Sequence, residues 1–309
     1  MRILVSGGAG FIGSHVVETY INAGHEVIVV DDLSTGKREN LHPKARFVQA
    51  DIQDPAVRQL IIQEKIDILN HHAAQMDVRR SVADPLFDAH VNILGMLNLL
   101  EGAREAGVKK VIFASSGGTV YGEQESFPAS EAHHTHPICP YGVSKRTGEH
   151  YLYFYQTEYR LPYIALRYAN IYGPRQDPHG EAGVVAIFTI RLLSGQQPVI
   201  NGDGNQTRDY VFVGDVARAN LAALQVDYTG PINIGTGIET NVNQLFGHLR
   251  TLAGSSAPEI HGPAKPGESR RSVLAWDRAA QVLGWRPEVK LEDGLRQTVE
   301  FFRTRIHGH

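Results

Sequence analysis

The chain has a single cysteine, Cys139, among 309 residues. An internal disulfide is therefore impossible, and a Cys-rich zinc site is excluded. No stretch approaches the ~18 consecutive apolar residues of a membrane span. The apolar run Met1 to Val5 is too short for a secretory core and leads straight into glycines. Charge of neither sign dominates: 30 Lys+Arg stand against 33 Asp+Glu, a formal net charge of -3. Such a balance offers no broad basic field for a nucleic acid. Fifteen histidines are present, but without metal-ligand spacing. His71 and His72 are adjacent at an expected strand end and face opposite ways, and His133, His134 and His136 lie in an expected loop. No metal is predicted. The expectation is a soluble cytoplasmic protein with neither a nucleic-acid nor a membrane partner.

Short β-branched runs alternate with longer amphipathic stretches. Ile3 to Val5, Val27 to Val30, Phe47-Val48, Ile66 to Leu69, Val111 to Phe113 and Tyr163 to Leu166 read as strands. Segments 11–23, 56–64, 91–106 and 144–158 read as helices. This alternation predicts an α/β fold, a Rossmann-like doubly wound parallel sheet covered on both faces. After Asn170 the pattern turns to Gly, Pro and Asp, with helices returning at 184–193, 215–224 and within 241–302. A smaller α/β domain is expected there. The predicted division gives 1–169, plus roughly 209–238, to the first domain, and 170–208 with 239–309 to the second.

Gly7-Gly8-Ala9-Gly10-Phe11-Ile12-Gly13 follows the first strand and opens the first helix. Glycines permit a tight turn and close approach to a pyrophosphate, and the helix start offers free N–H groups and the positive dipole end. Asp31 ends the second strand, where a carboxylate can bind adenosine ribose hydroxyls and repel a 2′-phosphate. That favours NAD over NADP. Asp32, pointing the other way, is the weaker candidate.

Tyr141 and Lys145 stand four apart at the start of a helical stretch, so phenol and ammonium share a face. A free tyrosine, with a pKa of ~10, is a poor base near neutrality. A lysine cation and an oxidised nicotinamide would favour its phenolate and make it a general base for an alcohol. Ser115 and Ser116 follow the strand Val111 to Phe113, where a parallel-sheet active site belongs. Either hydroxyl can share the proton in flight; Ser116 is preferred, and Ser115 remains open.

With these residues assembled, the chain resembles the extended short-chain dehydrogenase/reductase family, and within it the UDP-glucose 4-epimerases. The likeness also takes in Leu33-Ser34-Thr35-Gly36, Asp51-Ile52, His72-Ala73-Ala74, Arg167-Tyr168-Ala169-Asn170, Arg208-Asp209-Tyr210 and Pro266-Gly267-Glu268. It implies a tightly held NAD, with Ser34, Thr35 and Gly36 beside Asp31, Asp51 and Ile52 by the adenine, Ala73 and Ala74 along the phosphate-ribose track and Tyr168 near the nicotinamide. It further implies a UDP-sugar substrate, with Asn170, Arg208 and Arg271 on the diphosphate and Glu268 on the uridine ribose. Arg270 and Lys265 stay open as substitutes for Arg271. Helices 91–106 and 144–158 would pair with their copies in a homodimer.

The implied reaction is inversion at C4 of a UDP-hexose through a transient 4-keto sugar. Gly117-Gly118 stand where related dehydratases and decarboxylases carry acids, which argues against those eliminations. Ser272 falls where some epimerases place a bulky tyrosine, leaving room for an N-acetyl group. The alternatives kept open are another nucleotide-sugar enzyme, such as a UDP-glucuronate 4-epimerase, and a non-catalytic NAD-binding regulator.

Overall fold

Strands of β-branched residues need both faces covered, and the chain supplies the covering helices in turn. A computed structural model describes residues 1–178, 183–264 and 269–307. Seven parallel strands form one sheet: β1 (Arg2–Ser6), β2 (Glu26–Asp31), β3 (Arg46–Gln49), β4 (Ile68–His71), β5 (Lys110–Ser116), β6 (Tyr163–Tyr168) and β7 (Gly230–Ile234). Their order is β7-β6-β5-β4-β1-β2-β3. The chain winds outward from β1 in both directions, since β1 pairs with β2 on one side and β4 on the other. The crevice at the carboxyl ends of these strands is where such sheets bind ligands.

The helices used below are α1 (Phe11–Asn22), α2 (Pro55–Gln63), α3 (Gly95–Ala106), α4 (Pro140–Tyr159), α5 (Val184–Leu193), α6 (Val213–Ala223), α7 (Val242–Ala253) and α8 (Leu291–His307). Alternation along the strands sorts two cores. Ile3, Val5, Val27 and Ile112 pack on one face with α1 and α6. Leu4, Ile28, Leu69 and Phe113 pack on the other with α2, α3 and α4. A third core joins Tyr172, Phe188, Phe212, Phe246 and Leu295, beyond the sheet and around α5, α7 and α8.

Two helices differ from the sequence reading. The expected helix over 91–106 is interrupted, because His90–Leu94 forms a π turn before α3 begins. The helix expected from 144 starts at Pro140, since proline's missing N–H and fixed φ suit a first turn. Tyr141 lies in its first turn, at the start of the helix as its spacing to Lys145 predicts.

Candidate active site

The glycines let the turn pack closely on the chain's own backbone at the start of α1. Gly7 has φ +72, and a Cβ there would lie 2.6 Å from the amide nitrogen of Ala73. A Cβ on Gly13 would lie 2.2 Å from the Gly7 carbonyl oxygen. Gly10 precedes α1, and no side chain caps that helix. The first N–H groups of a helix have no intrahelical acceptors, so those around Phe11, Ile12 and Gly13 are placed to receive an anion.

Asp31 is buried at the end of β2, accepting from Ala9 N–H at 3.0 Å and Leu33 N–H at 2.9 Å. Burial pushes its carboxyl up, while those two donors hold it down. A Cβ on Gly36 would fall 2.6 Å from its carboxylate, so the 33–36 loop wraps it closely. Asp32 points outward and binds Ser34 through backbone and hydroxyl; Thr35 is exposed. Asp51 is also exposed and accepts from Gln53, whereas Ile52 is buried against Gly95. Ala73 and Ala74 are half-buried beside the glycine turn.

Lys145 is buried, with its ammonium donating to the Ala114 carbonyl at 2.9 Å. It lies 4.9 Å from the Phe113 ring centroid and 5.6 Å from that of Tyr141. Burial lowers its pKa from 10.5 to about 8, against the pull of Asp88. Burial pushes the Tyr141 phenol up, and the charge of Asp88 adds to that. The accepting carbonyl of Ala114 stands two residues before Ser116 on β5, so α4 and the end of β5 converge.

The two serines separate by face. Ser115 is buried and donates to Glu149 at 2.7 Å. Ser116 is half-buried, and its hydroxyl and the Asn170 side-chain oxygen each lie 3.9 Å from where a Gly118 Cβ would be. Ser116 is thus the hydroxyl that faces the open side. Tyr168, paired with Ser116 across the sheet, is buried with its hydroxyl accepting from Asn220 at 2.8 Å and 3.2 Å from His72 Nε2. His72, next to the crevice, has its pKa pushed down to about 3 by burial and by Lys145. His71 turns the other way, toward Ser6 and the Phe113 ring.

The arginines form a second patch. Arg208 donates to the Thr207 and Ser269 carbonyls. Arg271 forks onto Glu239 at 2.9 and 2.7 Å and covers the Phe127 ring at 3.6 Å. Thr207 donates to the same carboxylate, which brings Arg208 and Arg271 into one neighbourhood. Arg270 instead pairs with Asp203. Glu268 and Lys265 lie outside the described residues. Asp209 is buried and accepts from Thr236, Gly237 and Leu274. Leu274 in turn sits 2.4 Å from where a Gly117 Cβ would be. Leu274 thus lies against both Asp209, the residue after Arg208, and Gly117, beside Ser116; Ser272, the residue after Arg271, is buried.

Sequence reasoning missed several participants. Glu149 continues the four-residue spacing of Tyr141 and Lys145, a signal present on α4. It holds Arg167 through two hydrogen bonds of 2.8 and 2.6 Å. Asp88, Asn92 and Glu239 carried no local signal.

Fold and crevice together define a dinucleotide-binding protein of the Rossmann class, with a tyrosine–lysine pair at the strand ends. The family model described as NAD dependent epimerase/dehydratase matches residues 3–235, and the chain belongs to that family. The chain is 48% identical over 312 residues to a UDP-glucose 4-epimerase of Mycolicibacterium smegmatis, covering 99% of each. The crystal structure of a UDP-glucose 4-epimerase with UDP-glucose from Thermotoga maritima matches with TM-score 0.97 and 50% identity, over 99% of this chain and 100% of that one. That of a UDP-glucose 4-epimerase in complex with NAD from Thermus thermophilus matches with TM-score 0.94 and 46% identity, over 98% and 99%.

Proposed function

We propose that this protein is an NAD-dependent 4-epimerase of UDP-hexoses, interconverting UDP-glucose and UDP-galactose. One observation carries the reading: Tyr141 and Lys145 share a helix face at the end of β5, with Lys145 anchored to that strand. The glycine cradle over Ala73 and the uncapped α1 fit a pyrophosphate, and Asp31 fits the adenosine ribose. Gly7, Gly10, Phe11, Ile12 and Gly13 would hold the phosphates; Asp32, Ser34, Thr35, Gly36, Asp51, Ile52, Ala73, Ala74 and Tyr168 complete the contact set. When bound, NAD supplies a reversible hydride acceptor.

Tyr141 takes the proton from the sugar's 4-hydroxyl, Lys145 holds the resulting phenolate by its charge, and Ser116 shares the proton. Asn170, Arg208, Arg271 and Glu268 grip the nucleotide, while Gly117-Gly118 leave the sugar end loosely held. Guanidinium forks suit phosphate oxygens; Arg271 must exchange Glu239 for the diphosphate. The open space at Gly118 holds no carboxylate, which separates this reading from elimination chemistry. The small buried Ser272 supports acceptance of an N-acetyl group at C2. Residues 1–169 with 209–238 form the NAD-binding part, and 170–208 with 239–309 the sugar-nucleotide part, in keeping with the separate third core. The protein works as a homodimer, and its lone free thiol, Cys139, suits the cytoplasm.

The test is incubation with UDP-galactose, UDP-GalNAc or UDP-glucuronate without added NAD, followed by NMR of the products. Conversion of UDP-galactose and UDP-GalNAc to their C4 epimers is expected. Tyr141→Phe should keep the fold and bound NAD and lose at least ~100-fold in turnover. Parent-like rates in that variant would remove Tyr141 from the mechanism.

A further inference from the structure

Below the tyrosine–lysine pair lies a carboxylate that the proposed reaction does not use. Asp88 sits on the short helix Pro85–Ala89 with 0% exposure. Burying a carboxylate is costly unless it is hydrogen-bonded, and its partners come from three directions. Ser144 on α4 donates to Oδ2 at 2.6 Å. Asn92, in the π turn, donates to Oδ1 at 3.0 Å. Gln75, in the loop after β4, donates to Oδ1 at 3.2 Å.

The Gln75 backbone N–H also donates to Asn92 at 2.9 Å, and Asn92 donates back to the Gln75 carbonyl. Ser144 is the residue before Lys145, and the Tyr141 N–H is tied to Ser81 on the neighbouring helix Val78–Ala83. The loop after β4 begins with His72 and Ala73, which lie against Gly7. One buried side chain therefore joins the crevice loop, the π turn and the start of α4.

We propose that Asp88 is a positioning residue for the proton-transfer pair: it locks the first turns of α4 to the crevice loop and sets the charge that Tyr141 and Lys145 meet. The inference rests on the epimerase reading. It also gives the π turn a purpose, because that turn brings Asn92 inward to the carboxylate. Besides Asp88, the groups facing Lys145 are Tyr141 on its own helix and His71 and His72 at the end of β4; Cys139 faces Tyr141. Asp88 is the carboxylate among them. Its charge favours the lysine ammonium and disfavours the tyrosine phenolate. Removing that charge moves both groups to lower pH, whichever of them each limb of the rate profile reports.

Asp88→Asn keeps the shape and removes the charge, whereas Ser144→Ala keeps the charge and cuts the tie to α4. In D88N, both limbs of the kcat profile should move to lower pH, and kcat above the parent's optimum should fall roughly tenfold with KM within about twofold. In S144A, kcat should fall while both limbs stay. Asp88→Glu should restore the parent's limbs. Unmoved limbs in folded D88N overturn the charge role, and parent kcat in S144A overturns the positioning role. If D88N does not fold, S144A decides: reduced kcat at unchanged KM in folded protein supports the proposal, and parent kcat overturns it. If the parent interconverts no UDP-sugar, the epimerase reading itself fails. The Asp88 proposal is then read from the Lys145 titration by 13C NMR, where an unchanged midpoint in D88N overturns it and a lowered one supports it.

Discussion

Ser115 and Ser116 differ by one step along β5, and that step changes what each hydroxyl can do. Side chains alternate across a strand, so Ser115 turns into the buried Glu149–Arg167 pair while Ser116 turns toward Asn170. Ser115→Ala should cost ~1–3 kcal/mol of stability, because Glu149 loses a buried donor, with turnover largely kept. Ser116→Ala should show the reverse, with an unchanged urea midpoint and ~100-fold slower turnover. The opposite assignment of losses would exchange the two serines' roles. Motif reading left this choice open because alternation says that the faces differ, not which face holds the substrate.

Lys145 carries a cost of its own. Its folded pKa of about 8 lies below the ordinary 10.5, so between those values the unfolded chain binds the extra proton. Stability therefore rises with pH across that window, and the penalty is full below about 8. A displacement of this size is worth at most about 3 kcal/mol. In cofactor-free protein, Lys145→Met should raise the melting temperature at pH 7 while abolishing turnover. Its advantage should shrink as the pH is raised through 8 toward 10.5. An advantage that is constant with pH would assign the gain to packing rather than to the buried charge.

At the scale of elements, α4 is the part that sheet and site share. Its inner face carries Tyr141, Lys145 and Glu149 in one line; the first two address the crevice and the third staples α4 to β5 and β6 through Ser115 and Arg167. Arg167 also donates to the Tyr121 hydroxyl at 2.9 Å, which donates to Asn233 at 2.6 Å on β7. Breaking a buried pair from one side strands the other charge. Glu149→Gln should cost ~3–5 kcal/mol, read as a lower urea midpoint at an unchanged slope. The four-residue spacing made Tyr141 and Lys145 legible in the sequence, whereas Glu149, one step further on, was missed because its partners Ser115 and Arg167 are distant in the chain. The π turn at 90–94 was not legible either, because it depends on Asn92 reaching Asp88 and Gln75 from another part of the chain.

For the whole molecule, legibility followed contact distance along the chain. The individual strands, the glycine turn and Asp31 are each written in neighbouring residues and could be read in order, and strand–helix alternation implies the parallel sheet without naming its pairs. The nucleotide end depends on pairings such as Leu274 with Asp209, 65 residues apart, and Arg271 with Glu239, 32 apart. Spacing cannot announce such pairs, and only resemblance drew the arginines together.

The proposed homodimer belongs to this largest scale. Val143 (47%), Tyr153 (62%) and Phe154 (48%) on α4 are exposed, and so are Leu86 (72%) and Leu94 (51%) on the segment packed beside it. Val143, Thr147, His150 and Phe154 follow one another at helical spacing, giving α4 an outer stripe opposite the face of Tyr141 and Lys145. Exposed apolar side chains gathered on adjoining elements are characteristic of an interface, and in the proposed dimer a second copy would offer the same elements in return. Phe154→Glu combined with Leu94→Glu should halve the sedimenting mass without altering the far-UV circular dichroism. The parent's melting temperature should fall on dilution, as linkage to association requires, and the variant's should not. A parent that already sediments as a monomer, or a variant that remains dimeric, would remove this face from the assembly and leave α4 with its Tyr141 and Lys145 side alone.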